Sequence, residues 1–150
     1  MGAVLPRAQV GCWRHWLALV VMCSVALAGC GIAKDPLSVA VGDAGSSAAT
    51  AALALEQHAQ GRLTRSTAET MIDDARREAA TAAKQVTQLT VGDQQADIQQ
   101  DAMDVLARAA RHLQQAARDI GSDRAEELID ELRDDADALA ELESRAAAGR

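Results

Sequence analysis

From Ser66 onward, apolar side chains return every three or four residues in three long runs. Ile72, Ala75, Ala79, Ala82, Val86 and Leu89 form the first. Ile98, Ala102, Val105, Ala109, Leu113, Ala116 and Ile120 form the second, widened by Leu106 and Ala110. Ala125, Leu128, Leu132, Ala136, Leu139, Leu142 and Ala146 form the third, with Ile129 alongside. Steps of three and four keep one helix face apolar and make the seam through which helices pack. The spacing predicts a helix from Ser66 to about Val91, one from near Asp93 to Gly121, and one from Ser122 or Asp123 to about Ala147. Ser66-Thr67-Ala68-Glu69 fits a capping box for the first, and Gly92 fits a stop after it. Each helix has about 25 residues and is therefore ~37 Å long. The short links between them make neighbours antiparallel. A shorter helix is expected from Ser46 or Ser47 to about Gln60, with Leu53 and Leu55 as its apolar residues and Gly61 after it.

Upstream the pattern changes. Gly31 to Gly45, GIAKDPLSVAVGDAG, holds Pro36 and several glycines and lacks helical periodicity. It reads as a flexible tether with a mean reach of about 20 Å. A short strand at Leu37–Val41 is the other reading, though no second strand is available to pair with it. Before the tether, Arg7 and Arg14 precede an uncharged stretch, residues 16–29, that ends in Ala26, Ala28 and Gly29. A basic start, an apolar middle and a small-residue exit outline a secretory signal. The apolar run is near the minimum for spanning a bilayer, which makes an uncleaved anchor the competing reading.

Leu27-Ala28-Gly29-Cys30 separates the two. It resembles the lipobox of bacterial lipoproteins, with Leu at −3, small residues at −2 and −1, and Cys at +1. The resemblance covers only the signal region. It implies cleavage between Gly29 and Cys30, a thioether-linked diacylglycerol on Cys30, and usually acylation of the new N-terminus. The residue types suit that chemistry: a thiol is the nucleophile that accepts the lipid, and small residues let a protease reach the backbone. Two acyl chains anchor stably where one binds reversibly. The expected organisation is a signal over 1–29, a lipidated tether over 30–45 and a helical domain over 46–150. The expected fold is all-α: an antiparallel bundle of three long Ala-rich helices plus a short N-terminal helix. The expected location is a cell membrane or outer membrane, on its extracytoplasmic side.

Charge and composition narrow the partners. Removing residues 1–29 takes away Arg7 and Arg14, leaving thirteen basic side chains against all 22 acids, a net of −9. Nucleic acid demands a basic surface and is not expected. Anionic lipid is not expected to draw the chain flat onto it either. A charged partner is expected to be basic. Both tryptophans, Trp13 and Trp16, lie in the signal, and the chain has no Phe or Tyr. Platforms for stacking sugars or bases are therefore absent after cleavage. Alanine-rich seams bury little area each, so a marginal monomer is expected, or one completed by self-association or a partner.

The chemistry-bearing residues are few. Cys12 and Cys23 leave with the signal, so Cys30 remains without a disulfide partner. His58 and His112 fall on different helices and read as helix-surface residues. Neither has an acid three positions before it, as a di-iron bundle requires, and no Cys-x-x-Cys-His for haem appears. No catalytic residue, metal site or cofactor beyond the lipid is expected. The last helix is strongly acidic, with ten acids and three arginines from Ser122 to Ala146. Glu126, Asp130, Asp134, Asp137 and Glu141 are the candidate residues for binding a basic partner. The leading expectation is a lipid-anchored, non-catalytic binding or scaffolding module of the bacterial envelope. Two others stay open at this level: a small envelope enzyme or enzyme accessory, and a structural spacer or weak divalent-cation binder.

Overall fold

The structure is a computed structural model and describes residues 35–149. The signal over 1–29, the Gly29–Cys30 cleavage point and the first part of the tether, 30–34, lie outside the described residues. Four helices follow in order: α1, Pro36–Ala59; α2, Arg65–Gln88; α3, Asp93–Arg118; and α4, Ala125–Ala148. The fold is all-α, an antiparallel bundle, as the periodicity predicts. α1 packs most extensively on α4 and α2, while α3 packs on α2 and α4. Among the described residues α1 and α3 touch only slightly, and α2 and α4 lie diagonally opposed. None of these helices is long and apolar enough to cross a membrane.

The main correction concerns α1. Residues 36–45, expected as tether, are helical, and the helix expected to be short has 24 residues. The helical domain therefore begins ten residues before position 46. Asp35 caps α1 by accepting the Leu37 N–H at 2.9 Å. Pro36 sits in the first turn, where its missing N–H costs nothing and its fixed φ helps. Leu37, Val41, Ala44, Ala48, Ala51 and Leu55 are all buried and step by 4, 3, 4, 3 and 4. Gly42 and Gly45 act here as spacers. A Cβ at Gly45 would lie 3.3 Å from Leu139 Cβ and 3.5 Å from the Ala136 carbonyl, so glycine lets the α1 and α4 backbones approach. Leu53, one of the two apolar residues that marked the expected short helix, points outward and is 49% exposed.

Smaller corrections follow from packing and caps. Thr64 caps α2 by accepting the Thr67 N–H at 3.2 Å, so the helix begins just before the expected capping box. α2 ends at Gln88, because Leu89 turns extended and packs with Val91 against the core. The Gln99 side-chain amide from α3 donates to the Val86 and Leu89 carbonyls at 2.7 and 2.9 Å, satisfying that helix end. Gly92 is thus the residue before α3 rather than a left-handed stop. Gly61 and Gly121 do take positive φ, 69° and 76°, at the turns after α1 and α3. On α3 Leu106 is buried, while Val105 is only partly covered and Ala110 is exposed. On α4 Ala136 is only partly covered and Asp135 is buried in the seam.

The core has two apolar clusters along the bundle axis. One gathers Leu55, Ile72, Leu113, Ile120, Leu128 and Leu132 with alanines of α1 and α2. The other gathers Leu37, Val41, Val86, Ile98, Leu106, Leu139 and Leu142. Between them the bundle has a polar waist. Asp135 lies on α4 between Leu132 and Leu139. Ser47 lies on α1 between Ala44 and Ala48, its hydroxyl donating to the Asp43 carbonyl at 2.9 Å and lying 3.2 Å from Glu78 Oε2.

Candidate functional site

The waist brings together four polar side chains that sequence spacing does not connect. Asp135 is fully buried. Its Oδ1 accepts from Arg108 Nε at 2.6 Å, and its Oδ2 bonds His112 Nδ1 at 2.7 Å. Arg108 and His112 stand one turn apart on α3, so both reach the same carboxylate. A carboxylate at Oδ2 requires the proton on Nδ1, which aims Nε2 the other way. There it meets Glu131, one turn before Asp135 on α4, with Oε2 at 3.9 Å. That distance exceeds a hydrogen bond, and Glu131 Oε2 is buried with no hydrogen-bond partner.

This arrangement corrects the expectation for His112. Its side chain is 17% exposed and is part of the α3–α4 interface rather than a surface residue. In the Glu131/Asp135 pair, which repels when read along one helix, Asp135 is compensated by Arg108 of the neighbouring helix, and the His112 ring stands between the two carboxylates. Asp104 and Glu141 are i,i+4 partners for Arg108 and Arg145 in the sequence. The arginines instead cross between helices, Arg108 to Asp135 and Arg145 to Asp101 at 3.1 Å. His58 is half-buried, with Nδ1 3.1 Å from the Leu63 carbonyl, and ties the end of α1 to the α1–α2 link. His112 Nε2 faces a carboxylate oxygen at 3.9 Å, and no hydroxyl or thiol is hydrogen-bonded to it among the described residues.

The five acids singled out for a partner lie elsewhere. Glu126, Asp130, Asp134, Asp137 and Glu141 are all exposed on α4. At 100° per residue they fall within an arc of about 80°, over a length of about 22 Å. Asp130 lies 3.7 Å from Arg133, whose other nitrogen reaches Glu56 of α1 at 2.7 Å. Glu126, Asp134, Asp137 and Glu141 have no ion pair among the described residues. The stripe is thus separate from the waist and faces outward. Cys30 lies outside the described residues.

Two open grooves lie on the surface of the described residues. One, of about 520 Å³, runs between α2 and α3 and is lined by Asp73, Arg76, Arg77, Ala80, Ala110 and Gln114 over Leu113. Its arginines are already paired, Arg76 to Asp73 at 2.7 Å and Arg77 to Asp74 at 2.8 Å. The other, of about 450 Å³, runs between α1 and α2 past Ser46, Glu78 and Thr81. Among the described residues, no buried side-chain atom lining either groove lacks a hydrogen bond. Comparison of the chain with protein-family models, curated proteins and solved structures finds no match.

Proposed function

We propose that this chain is a lipid-anchored, extracytoplasmic binding module of the bacterial envelope that takes a basic partner on the outer face of α4. The observation that carries the binding half is the division of labour among the α4 acids. Asp135 turns inward to Arg108 and His112 of α3 and Glu131 lies beside the His112 ring, whereas five others form an outward stripe that meets one cation among the described residues, Arg133 beside Asp130. Acids at i,i+4 repel along a helix and cost a few tenths of a kcal/mol each. Asp130 meets Arg133 and Glu126 sits in the first turn of α4, where an acid is favourable, but Asp134, Asp137 and Glu141 bring the fold no ion pair among the described residues, so a partner is their natural use. The anchoring half rests on Leu27-Ala28-Gly29-Cys30 and the signal outline before it. The reading is non-catalytic: the waist presents a histidine held by an aspartate but facing a carboxylate, with no nucleophile beside it.

Two experiments test the halves separately. Feeding alkyne-palmitate to expressing bacteria should label the wild-type protein and leave Cys30→Ser unlabelled. Label retained by Cys30→Ser removes the anchor. Affinity for a lysine-rich octapeptide should fall steeply with added salt, since exposed charges are screened beyond about 10 Å at 0.1 M. Converting Glu126, Asp130 and Asp134 to their amides should lower it further. Affinity that ignores both salt and these substitutions removes the binding face.

A further inference from the structure

We propose that His112 and Glu131 together form a binding site for a divalent transition-metal ion of the zinc type. The site is at the waist and depends on neither the lipid nor the acidic stripe. The first support is the orientation of the imidazole. Nδ1 is engaged by Asp135 at 2.7 Å, and Asp135 is held in turn by Arg108 at 2.6 Å. Metal-binding histidines commonly donate their other ring N–H to a carboxylate in this way, which fixes the tautomer and makes the ligand nitrogen more basic. The second support is Glu131 Oε2, a buried carboxylate oxygen without a hydrogen bond, aimed at that ligand nitrogen. A buried acceptor left unpaired is costly, and a cation beside it removes the cost.

The third support is distance. Zinc binds nitrogen at about 2.0–2.1 Å and carboxylate oxygen at about 2.0–2.2 Å. An ion bonded to both ligands accommodates the observed separation of 3.9 Å, and a small rotation of Glu131 brings the angle toward tetrahedral. An imidazole nitrogen in the pair favours zinc, nickel or copper over calcium and magnesium, which prefer all-oxygen sites. No three ligating side chains converge among the described residues, so this is a two-ligand site, one protein ligand fewer than an open zinc site has, with water in the remaining positions. Glu131, with its side chain 34% exposed, gives the approach from solvent. Asp135 and Glu131 against Arg108 leave one net negative charge with a neutral imidazole, which attracts the cation. A proton on Nε2 is the competing occupant.

The test uses full-length, untagged protein in detergent, stripped with a chelator and titrated with Zn²⁺ by calorimetry and with Co²⁺ by visible absorption. Saturable binding of one ion per chain is expected. Glu131→Gln and His112→Gln should each weaken it at least about tenfold, and Asp135→Asn by roughly 10–100-fold. His58→Ala should leave it unchanged. Far-UV circular dichroism of every variant checks that the helices persist. Glu131→Gln keeps the side-chain shape at a partly exposed position, so it decides the matter if the buried variants unfold. Absence of saturable binding in the wild type overturns the proposal. So does wild-type affinity in Glu131→Gln, or loss of binding in His58→Ala.

Discussion

Asp135 is the residue on which the middle of the bundle turns. It is fully buried, and it is satisfied only because Arg108 and His112 arrive from α3. Hydrogen bonds to a charged group are worth about 1.5–3 kcal/mol. Asp135→Ala should therefore lower unfolding stability by about that much, read from urea denaturation. Arg108 is 44% exposed and can recover water, which keeps the loss below that of a fully buried pair. Replacing the cluster as a whole, with Arg108→Met, His112→Leu and Asp135→Leu together, should restore most of the stability, because the desolvation cost leaves with the charges. A triple variant as unstable as Asp135→Ala would show that the loss is not electrostatic. The cluster was half legible in the sequence. Ala125, Leu128, Leu132, Asp135, Leu139, Leu142 and Ala146 step strictly by three and four, so position 135 is a seam position on geometry alone. The apolar residue beside it, Ala136, fits the spacing nearly as well and masks it. A seam acid calls for hydrogen-bond donors on the facing helix, and Arg108 and His112, one turn apart, are the matching signal in the sequence. Which rotamers they adopt is set by packing, which spacing does not encode.

At the scale of the element, α1 separates what pattern reveals from what only packing reveals. α2 was readable because Ile72, Ala75, Ala79, Ala82 and Val86 are apolar against a charged background. α1 carries the same steps, but alanine fills both buried and exposed positions, and the exposed ones also include Val39 and Leu53, so the contrast vanishes. Pro36, Gly42 and Gly45, breakers in isolation, become a helix start and a close-approach face once α4 lies alongside. Leu37 is the sharpest test of this assignment. It is buried at the first turn of α1, so Leu37→Ala should cost about 2–5 kcal/mol by thermal or chemical melting. A tether residue would cost nothing. The two glycines should also part company. A Cβ at Gly42 meets the Glu143 carboxyl group at 2.8 Å, the far end of a flexible side chain. Gly42→Ala should thus realise up to about 1 kcal/mol of helix propensity once Glu143 swings aside. Gly45→Ala presses on Leu139 Cβ and the Ala136 carbonyl, which have less room to give. Its melting temperature should fall below that of Gly42→Ala, and the reverse order would contradict the close approach of α1 and α4.

For the whole molecule, the early start of α1 shortens any link to a lipid. Five residues from Cys30 to Asp35 span at most about 18 Å in any conformation. Anchoring at Cys30 would therefore hold the end of the bundle that carries Asp35 and the α2–α3 link close to the membrane. The opposite end, with the α1–α2 link, lies about 36 Å further along the helices. In vesicles bearing a headgroup quencher, a fluorophore on Thr90→Cys should be quenched far more than one on Gln60→Cys. Equal quenching would mean that the bundle lies on its side. An upright bundle presents the α4 stripe sideways, where a neighbouring protein can reach it. The central claim is that this stripe serves a partner at the expense of the fold. The measurement that tests it most directly is a thermal melt of the full chain, with and without the lysine-rich octapeptide. The comparison variant carries amides in place of Glu126, Asp130, Asp134, Asp137 and Glu141. The wild type should melt lower than this variant when alone, and the peptide should raise the wild type only. A variant that melts lower than the wild type, or a peptide that raises both equally, would contradict the account.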